Sequence, residues 1–255
     1  MAPFTSIPSQ VEALLEQWHG SSRREFLRTS GRLAFTVAAA AVAAPFADAV
    51  ADGQTPAGVG PYRDPDYKQL DSWIVIHQDN TATFYVGKTD MGQGTGTAFR
   101  QMMSDELDMP FERTTLFMGS THITVDQGGS GGSDAIQTDG WPMRRVAAEA
   151  RRVLLNMGSE RLGVPVDQLT VANAVISVKT APDRTVTYGE LIGGRKFNVA
   201  LTGNNIDQTT GVAKVKPVGE LKVVGTSPQR DDIPGKVNGT HEWAVDVKRP
   251  GMVHA

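Results

Sequence analysis

The chain contains no cysteine in its 255 residues. Without thiols it forms no disulfide, no thiolate zinc site and no cysteine-ligated iron–sulfur cluster of its own. A redox protein built on this sequence therefore needs its electron relay on another polypeptide.

An excess of charge of one sign is also lacking. The 25 Lys and Arg residues against 28 Asp and Glu give a formal net charge of −3. Because phosphate recognition depends on clustered Lys and Arg, nucleic acid is not expected as a partner, and no lipid-binding patch is indicated. With 40% hydrophobic and 21% charged residues, the composition is typical of a soluble globular protein with one large or two small domains.

The apolar run at residues 33–44 is shorter than the roughly 20 residues that span a bilayer. It follows S-R-R-E-F-L-R at residues 22–28, the pattern of a twin-arginine signal with Arg23 and Arg24 as its pair. We predict that residues 1–51 are a cleaved signal read by the twin-arginine export machinery, and that the mature protein is periplasmic. The alternative is an N-terminal amphipathic helix with chance arginines. Since this route carries folded proteins, a bound cofactor is favoured.

Two predicted strands lead into a glycine-rich stretch. Residues 72–78 and 81–87 are β-branched and aromatic and are separated by Asp79 and Asn80, which predicts a β-hairpin. The second strand continues into residues 87–97, G-K-T-D-M-G-Q-G-T-G-T. Glycines there let the backbone adopt positive φ angles and approach a bulky group.

A helix is predicted over residues 97–108, because apolar side chains recur there at helical spacing. Thr95 or Thr97 is expected to cap it. The glycine stretch thus lies at a helix N-terminus, where unpaired N–H groups favour a polar or anionic ligand. The adjacent acids Asp105 and Glu106 are expected on a solvated face of this helix.

Nucleotide-binding motifs are missing from this stretch. It has no G-x-x-x-x-G-K-[ST], and its third glycine is one residue early for G-x-G-x-x-G. The next predicted strand, residues 114–119, is followed by Ser120 rather than by an acid that could bind a ribose. A simple dinucleotide fold is therefore disfavoured.

A second glycine-rich stretch occupies residues 128–140, G-G-S-G-G-S-D-A-I-Q-T-D-G, and precedes a helix with one apolar stripe. Thr138 or Asp139 is predicted to cap this helix, and Gly158 to end it. Two such loops, each before a helix, indicate a split cofactor cradle. The alternative is that the glycines serve only tight turns.

Beyond this helix, strands are predicted at residues 175–178 and 185–188, and residues 240–247 are strand-like. The composition changes after Pro217, where a second domain is expected to begin. The pattern as a whole predicts an α+β fold.

Several blocks, in order, resemble one family. The two glycine-rich stretches and R-R-V-A-A-E-A-R-R-V-L-L at residues 144–155 are similar to the large, molybdenum-binding subunits of the xanthine dehydrogenase and aldehyde oxidase group, specifically the exported isoquinoline 1-oxidoreductase beta-subunit type. D-D-I-P-G-K-V-N-G-T at residues 231–240 resembles the opening of the hammerhead domain in that family.

The resemblance implies a domain order. After a linker at residues 52–69, residues 70–216 would form part of a molybdopterin-binding domain of strands and helices. Residues 217–255 would form the start of an α/β hammerhead domain.

The resemblance also implies a cofactor, molybdopterin cytosine dinucleotide, whose dithiolene holds molybdenum without a side-chain ligand. Gln93 would be the catalytic residue of this chain, donating a hydrogen bond to an oxygen ligand of the metal. Gly92 and Gly94 would let it approach. Further cofactor contacts, through backbone and hydroxyl groups, would come from Ser130, Gly131, Gly132 and Ser133.

The implied reaction is hydroxylation of an electron-poor carbon, in an N-heterocycle or an aldehyde, with oxygen from water. Electrons would leave through iron–sulfur clusters on a small partner subunit. The catalytic glutamate of the family, in a C-terminal glycine-rich motif, has no counterpart in these 255 residues. We therefore expect a truncated, N-terminal portion of the enzyme; the alternative is a non-catalytic periplasmic remnant or binding module. Asp90 stands where the family usually has glutamate.

Overall fold

The computed structural model describes residues 65–253, which fall within one compact unit, residues 60–255. The predicted export signal at residues 1–51, with Arg23 and Arg24, lies outside the described residues. Most of the predicted linker at residues 52–69 also lies outside them.

The first sheet contains three strands, β1 (Ile74–Ile76), β2 (Ala82–Val86) and β3 (Thr114–Met118). β1 and β2 form the predicted antiparallel hairpin, with Ile74 opposite Phe84. β3 runs parallel to β2, and the connection between them contains helix α1 (Thr95–Leu107). This β–α–β arrangement places residues 87–94 at the carboxyl end of β2, where open sheets commonly bind ligands.

Helix α2 (Gly140–Leu162) packs against α1 and continues a π-helical turn, Ala135–Asp139. The two helices and the first sheet share one apolar core, whose fully buried side chains include those of Trp73, Phe84, Phe99, Met103, Leu107, Met143 and Leu154.

The predicted end of α2 at Gly158 is wrong. The helix continues to Leu162 and ends at Gly163, whose φ is 67°. A Cβ added at Gly158 would lie 2.6 Å from Cδ1 of Ile176. This glycine therefore lets a neighbouring strand approach the helix and does not stop it.

The second sheet is an antiparallel meander of β4 (Leu169–Ala172), β5 (Val175–Val178) and β6 (Ala181–Thr187). The last two strands confirm the predicted pair, whereas β4 was not predicted. A short helix, α3 (Tyr188–Ile192), follows with a capping box between Thr187 and Glu190. Helices and largely antiparallel sheets together confirm the predicted α+β class.

Residues 193–253 are mostly irregular and contain one short α-helix, α4 (Ile233–Asn238). The predicted strand at residues 240–247 is wrong, since a 3₁₀ turn, Ala244–Asp246, lies there. A strand needs a partner to pair its N–H and C=O groups, and none within residues 65–253 lies beside this segment. Instead, the Trp243 amide donates to Asp246 Oδ2 at 2.9 Å.

We call residues 211–232 the strap. Within it the structure has only one 3₁₀ turn, Val218–Glu220, as regular secondary structure. Carboxylates of α1 and α2 hold it by accepting hydrogen bonds from its backbone. Glu149 Oε2 accepts from the amides of Val212 and Ala213, each at 2.9 Å.

The predicted solvated face at Asp105 and Glu106 is wrong. These residues are only 4% and 1% exposed, because the strap covers them. Asp105 accepts from the amides of residues 222–224, and Glu106 Oε2 accepts from the amide of Lys216 at 3.0 Å. Each carboxylate thus satisfies backbone donors of an irregular segment that has no sheet or helix to pair with.

No helix within residues 65–253 is both long enough and apolar enough to span a membrane.

Candidate functional site

The first glycine loop, residues 87–94, is organised by Asp90. Its carboxylate accepts hydrogen bonds from the amides of Gly92 at 2.8 Å, Gly94 at 3.1 Å and Gly96 at 2.9 Å. Partial burial opposes ionisation, but these three amides and the charge of Arg230 outweigh it and lower the pKa of Asp90. The carboxylate therefore binds the loop to the N-terminus of α1.

The predicted capping of α1 by Thr95 or Thr97 is wrong. The N-cap is Gly94, with φ of 86°, and its position receives no side-chain cap of its own. Asp90, four residues earlier, supplies the missing acceptor. The sequence signal for this role was the acid next to the glycines.

Gln93 lies at the exposed tip of this loop. Its Oε1 accepts from the Met91 amide at 2.7 Å, and its Nε2 donates to the Thr89 carbonyl and to Thr95 Oγ1, both at 3.2 Å. The amide group is therefore oriented by the loop itself, with its donor nitrogen beside the start of α1.

The second glycine loop, residues 127–134, is docked on the first by polar contacts. The Thr89 amide donates to Ser130 Oγ at 2.8 Å, and the Gly87 amide donates to Gln127 Oε1 at 2.7 Å. Lys88 Nζ donates to the Gly129 carbonyl at 2.8 Å. The two loops, separated by helix α1 and strand β3 in sequence, thus form one surface.

A buried ion pair lies beneath this surface. Lys88 Nζ is 3.2 Å from Asp139 Oδ2, and both side chains are less than a tenth exposed. Burial raises the pKa of Asp139, although Lys88 opposes that effect. The sequence predicts Asp139 only as a cap of α2, where its side chain makes no cap hydrogen bond. No local pattern connects it to a lysine after β2.

A cavity of about 450 Å³ opens between the two loops. It brings together five residues that the sequence assigns to the cofactor site, Gln93, Ser130, Gly131, Gly132 and Ser133. Met91, Ala135 and Ile136 add an apolar wall. Gly92 and Gly94 do not line this cavity.

The groups around this cavity are mainly neutral hydrogen-bond donors. Within the described residues, the amides of residues 130–133 donate no hydrogen bond to protein atoms. Ser130 Oγ accepts from Thr89, so its own O–H hydrogen is available. Gln127 Nε2 is buried without a partner in the described part of the chain, but Gln127 does not line the cavity. The free amides of residues 130–133 and the Ser130 hydroxyl line the cavity, so they fit a ligand rich in acceptor atoms, as a pterin and its phosphates are.

Metal-ligating side chains do not cluster here: residues 65–253 contain no group of three or more His, Cys, Asp or Glu placed to bind an ion.

Gly92 lines a separate cavity of about 540 Å³, on the other side of the first loop. Residues 231–243 form the opposite wall, including Asp232, Lys236 and Trp243. The first loop thus has two faces, one toward the second glycine loop and one toward the C-terminal part of the chain.

The fold and the paired loops define an α+β domain that presents hydrogen-bond donors to a polar cofactor at the start of two helices. The family described as Molybdopterin cofactor-binding domain matches residues 47–226, and the chain belongs to that family. The family prediction drawn from the two glycine-rich stretches and the other matching blocks is confirmed.

Three relatives of known name are similar to this chain at low sequence identity. A nicotinate dehydrogenase subunit of Pseudomonas putida is 28% identical over 187 residues, 73% of this chain and 15% of the relative. The beta subunit of isoquinoline 1-oxidoreductase from Brevundimonas diminuta is 26% identical over 277 residues, 92% of this chain and 33% of the relative. Membrane-bound aldehyde dehydrogenase [pyrroloquinoline-quinone] of Gluconacetobacter polyoxogenes is 25% identical over 183 residues, 71% and 23%. The chain therefore spans at most a third of these relatives.

Proposed function

We propose that the chain supplies two cofactor-binding loops of an exported molybdenum hydroxylase. The observation that carries the proposal is the docking of the two glycine loops around one cavity, with Gln93 on one side and residues 130–133 on the other. Membership of the molybdopterin cofactor-binding family supplies the class of ligand.

The roles of the residues follow from their donors. Residues 130–133 would hold the cofactor through backbone N–H groups and through the Ser130 and Ser133 hydroxyls. Gln93 would turn its Nε2 toward an oxygen at the metal, adding a donor without adding charge. When bound, the molybdenum cofactor supplies two-electron oxidation of a carbon centre with oxygen from water.

The finer assignments are part of the same proposal. The cofactor is the cytosine dinucleotide form, and the substrate is an N-heterocycle or an aldehyde. Electrons pass to a small subunit with iron–sulfur clusters, consistent with a chain that has no cysteine. Asp90 acts from within the loop, because its carboxylate already binds three loop amides.

Cofactor content tests the proposal directly. The protein is expressed from its complete reading frame in a host that makes the cytosine dinucleotide cofactor, and purified protein is assayed for molybdenum, pterin fluorescence and released cytidine nucleotide. All three should be stoichiometric. A folded protein lacking metal and pterin overturns the proposal and favours a non-catalytic binding module.

Gln93→Ala separates catalysis from binding. It should leave cofactor content nearly intact and slow turnover roughly 100-fold, the effect typical of losing one preorganised donor. Gln168→Ala is the matched control, since this exposed glutamine lies before β4, away from both loops. Equal rates for the Gln93→Ala and Gln168→Ala proteins would rule out the role of Gln93.

Export is tested by replacing Arg23 and Arg24 with lysine. The paired substitution should leave unprocessed protein in the cytoplasm, whereas the parent reaches the periplasm. Normal processing of the substituted precursor would exclude the twin-arginine route.

A further inference from the structure

Arg230 of the strap contacts Gly92 and Gly94 of the first glycine loop, neither of which lines the cavity between the two loops. Its Nη2 donates to the carbonyl of Gly92 at 3.0 Å. A Cβ added at Gly94 would lie 2.8 Å from Arg230 Nη1 and 3.0 Å from its Cζ. Gly94 therefore admits the guanidinium as well as the left-handed backbone that its φ of 86° requires.

The guanidinium is held in place from behind. Asp232 accepts from Arg230 Nε at 3.0 Å and from Nη2 at 2.7 Å, and it also pairs with Lys236. These two hydrogen-bonded cations lower the pKa of Asp232 well below the ordinary range. Arg230 thus forms a bidentate fork with Asp232 and binds the loop through one hydrogen bond from Nη2.

The strap itself is anchored next to Arg230. Arg100 of α1 is 8% exposed, and its Nη1 donates to Asp231 Oδ2 at 2.9 Å. Its Nη2 donates to the carbonyl of Phe111. Both the loop and its contact are therefore fixed to the same helix, α1.

We propose that Arg230 is a positioning residue that sets the backbone of the first glycine loop and, through it, the orientation of Gln93. Gln93 lies between Gly92, whose carbonyl binds Arg230, and Gly94, whose missing side chain makes room for it. Asp90 Oδ1 accepts from the amides of the same two glycines. The consequence for catalysis rests on the proposed function, whereas the effect on the loop does not.

Amide hydrogen exchange of the full chain without cofactor tests the contact. Arg230→Ala should speed exchange of the amides of residues 91–96 about tenfold, the effect expected from losing a charged hydrogen bond. Exchange in α2 should not change. Arg249→Ala is the matched control, since within residues 65–253 the side chain of this exposed arginine donates only to the carbonyl of Lys248. If the loop amides of the Arg230→Ala protein exchange at the wild-type rate, the proposal is overturned.

Further variants exclude a merely global effect. Arg230→Lys keeps the charge but loses the fork, so its exchange rate should fall between wild type and Arg230→Ala. Gly94→Ala should loosen the loop, and adding Arg230→Ala to it should give no further increase, because the contact is already lost. An additive effect contradicts the geometry. If Arg230→Ala does not fold, Asp232→Asn carries the test: it should speed loop exchange about threefold, and no change contradicts the proposal.

The two proposals fail separately. A loop that loosens in Arg230→Ala while the complete protein binds no cofactor leaves the positioning role intact and removes the function. If the loop is unchanged in Arg230→Ala while the complete protein binds the cofactor, the positioning role is removed and the function stands. In the loaded enzyme, Arg230→Ala should lower kcat while cofactor content stays at the wild-type level.

Discussion

The body formed by the first sheet, α1 and α2 is stabilised differently from the strap that crosses it. In the body, apolar side chains such as Phe84, Phe99 and Leu154 are fully buried against one another. In the strap, buried carboxylates of the helices bind backbone amides, and apolar side chains such as Val212 and Val218 remain exposed.

The difference shows that two kinds of interaction position the candidate site. Apolar burial fixes the helices whose N-termini face the cavity, at about 25 cal/mol per Å² of buried surface. The strap depends on hydrogen bonds to buried charges, which contribute about 1.5–3 kcal/mol each and are strongly destabilising when one partner is removed. The strap should therefore respond to charge and pH, and the body to side-chain volume.

Leu154→Ala should give the largest loss of stability. Leu154 is fully buried, and the cavity left behind should lower the free energy of unfolding by about 3 kcal/mol. Val218→Ala in the strap, where the side chain is 78% exposed, should change it by less than about 0.5 kcal/mol. Chemical denaturation measures both, and similar losses would erase the contrast between body and strap.

Glu149→Gln should come next. The carboxylate is 2% exposed and binds Val212 and Ala213 amides as well as Arg152. Replacing one acceptor oxygen by an N–H₂ donor should cost about 2 kcal/mol and speed amide exchange in the strap. Arg152→Ala leaves the two amide donors on Glu149 in place, so it should cost less than Glu149→Gln. A larger loss for Arg152→Ala would show that the ion pair, not the strap, is what Glu149 stabilises.

Acid should open the strap and first loop before the body. Burial opposes the ionisation of both carboxylates, but hydrogen bonds from Arg152 and the strap amides lower the pKa of Glu149. The loop amides and the charge of Arg230 lower the pKa of Asp90. A carboxylate whose pKa is lower in the folded state contributes stability above its unfolded pKa. That stability is lost as pH falls through the folded pKa. Exchange of residues 91–96, 212 and 213 should therefore rise below the ordinary carboxyl values of 4.5 and 3.8.

The pKa of Glu106 is shifted in the opposite direction. Burial raises its pKa above 4.5, so the folded state takes up this proton first and its contribution to stability grows as pH falls.

The Glu149→Gln protein should lose less stability in acid than wild type does. A steeper acid loss in that variant would contradict the assignment.

Gly131→Ala should have the smallest effect on stability. No atom lies within 4 Å of an added Cβ, and the φ of Gly131 is not positive. Its free energy of unfolding should stay within about 0.5 kcal/mol of wild type. If residue 131 contacts the cofactor, loading of the complete protein should nevertheless fall. Unchanged loading would show that this glycine serves only the loop.

Periodicity and local composition determined the body. β-branched and aromatic residues on either side of Asp79 and Asn80 predict the hairpin. Helical spacing predicts α1 and α2, because a helix repeats its buried positions at a fixed interval. Glycine content likewise marks both loops of the cavity, and their motifs, together with the other matching blocks, indicate the family.

Only the tertiary structure decided how those loops meet and what holds them. Lys88 pairs with Asp139, 51 positions away, and Arg230 binds Gly92, 138 positions away. Asp105 and Glu106 are buried because an irregular segment covers them. Such contacts leave no periodic trace, since a carboxylate beneath a strap and one in water have the same sequence. Which is buried depends on the distant backbone amides that the fold places beside it.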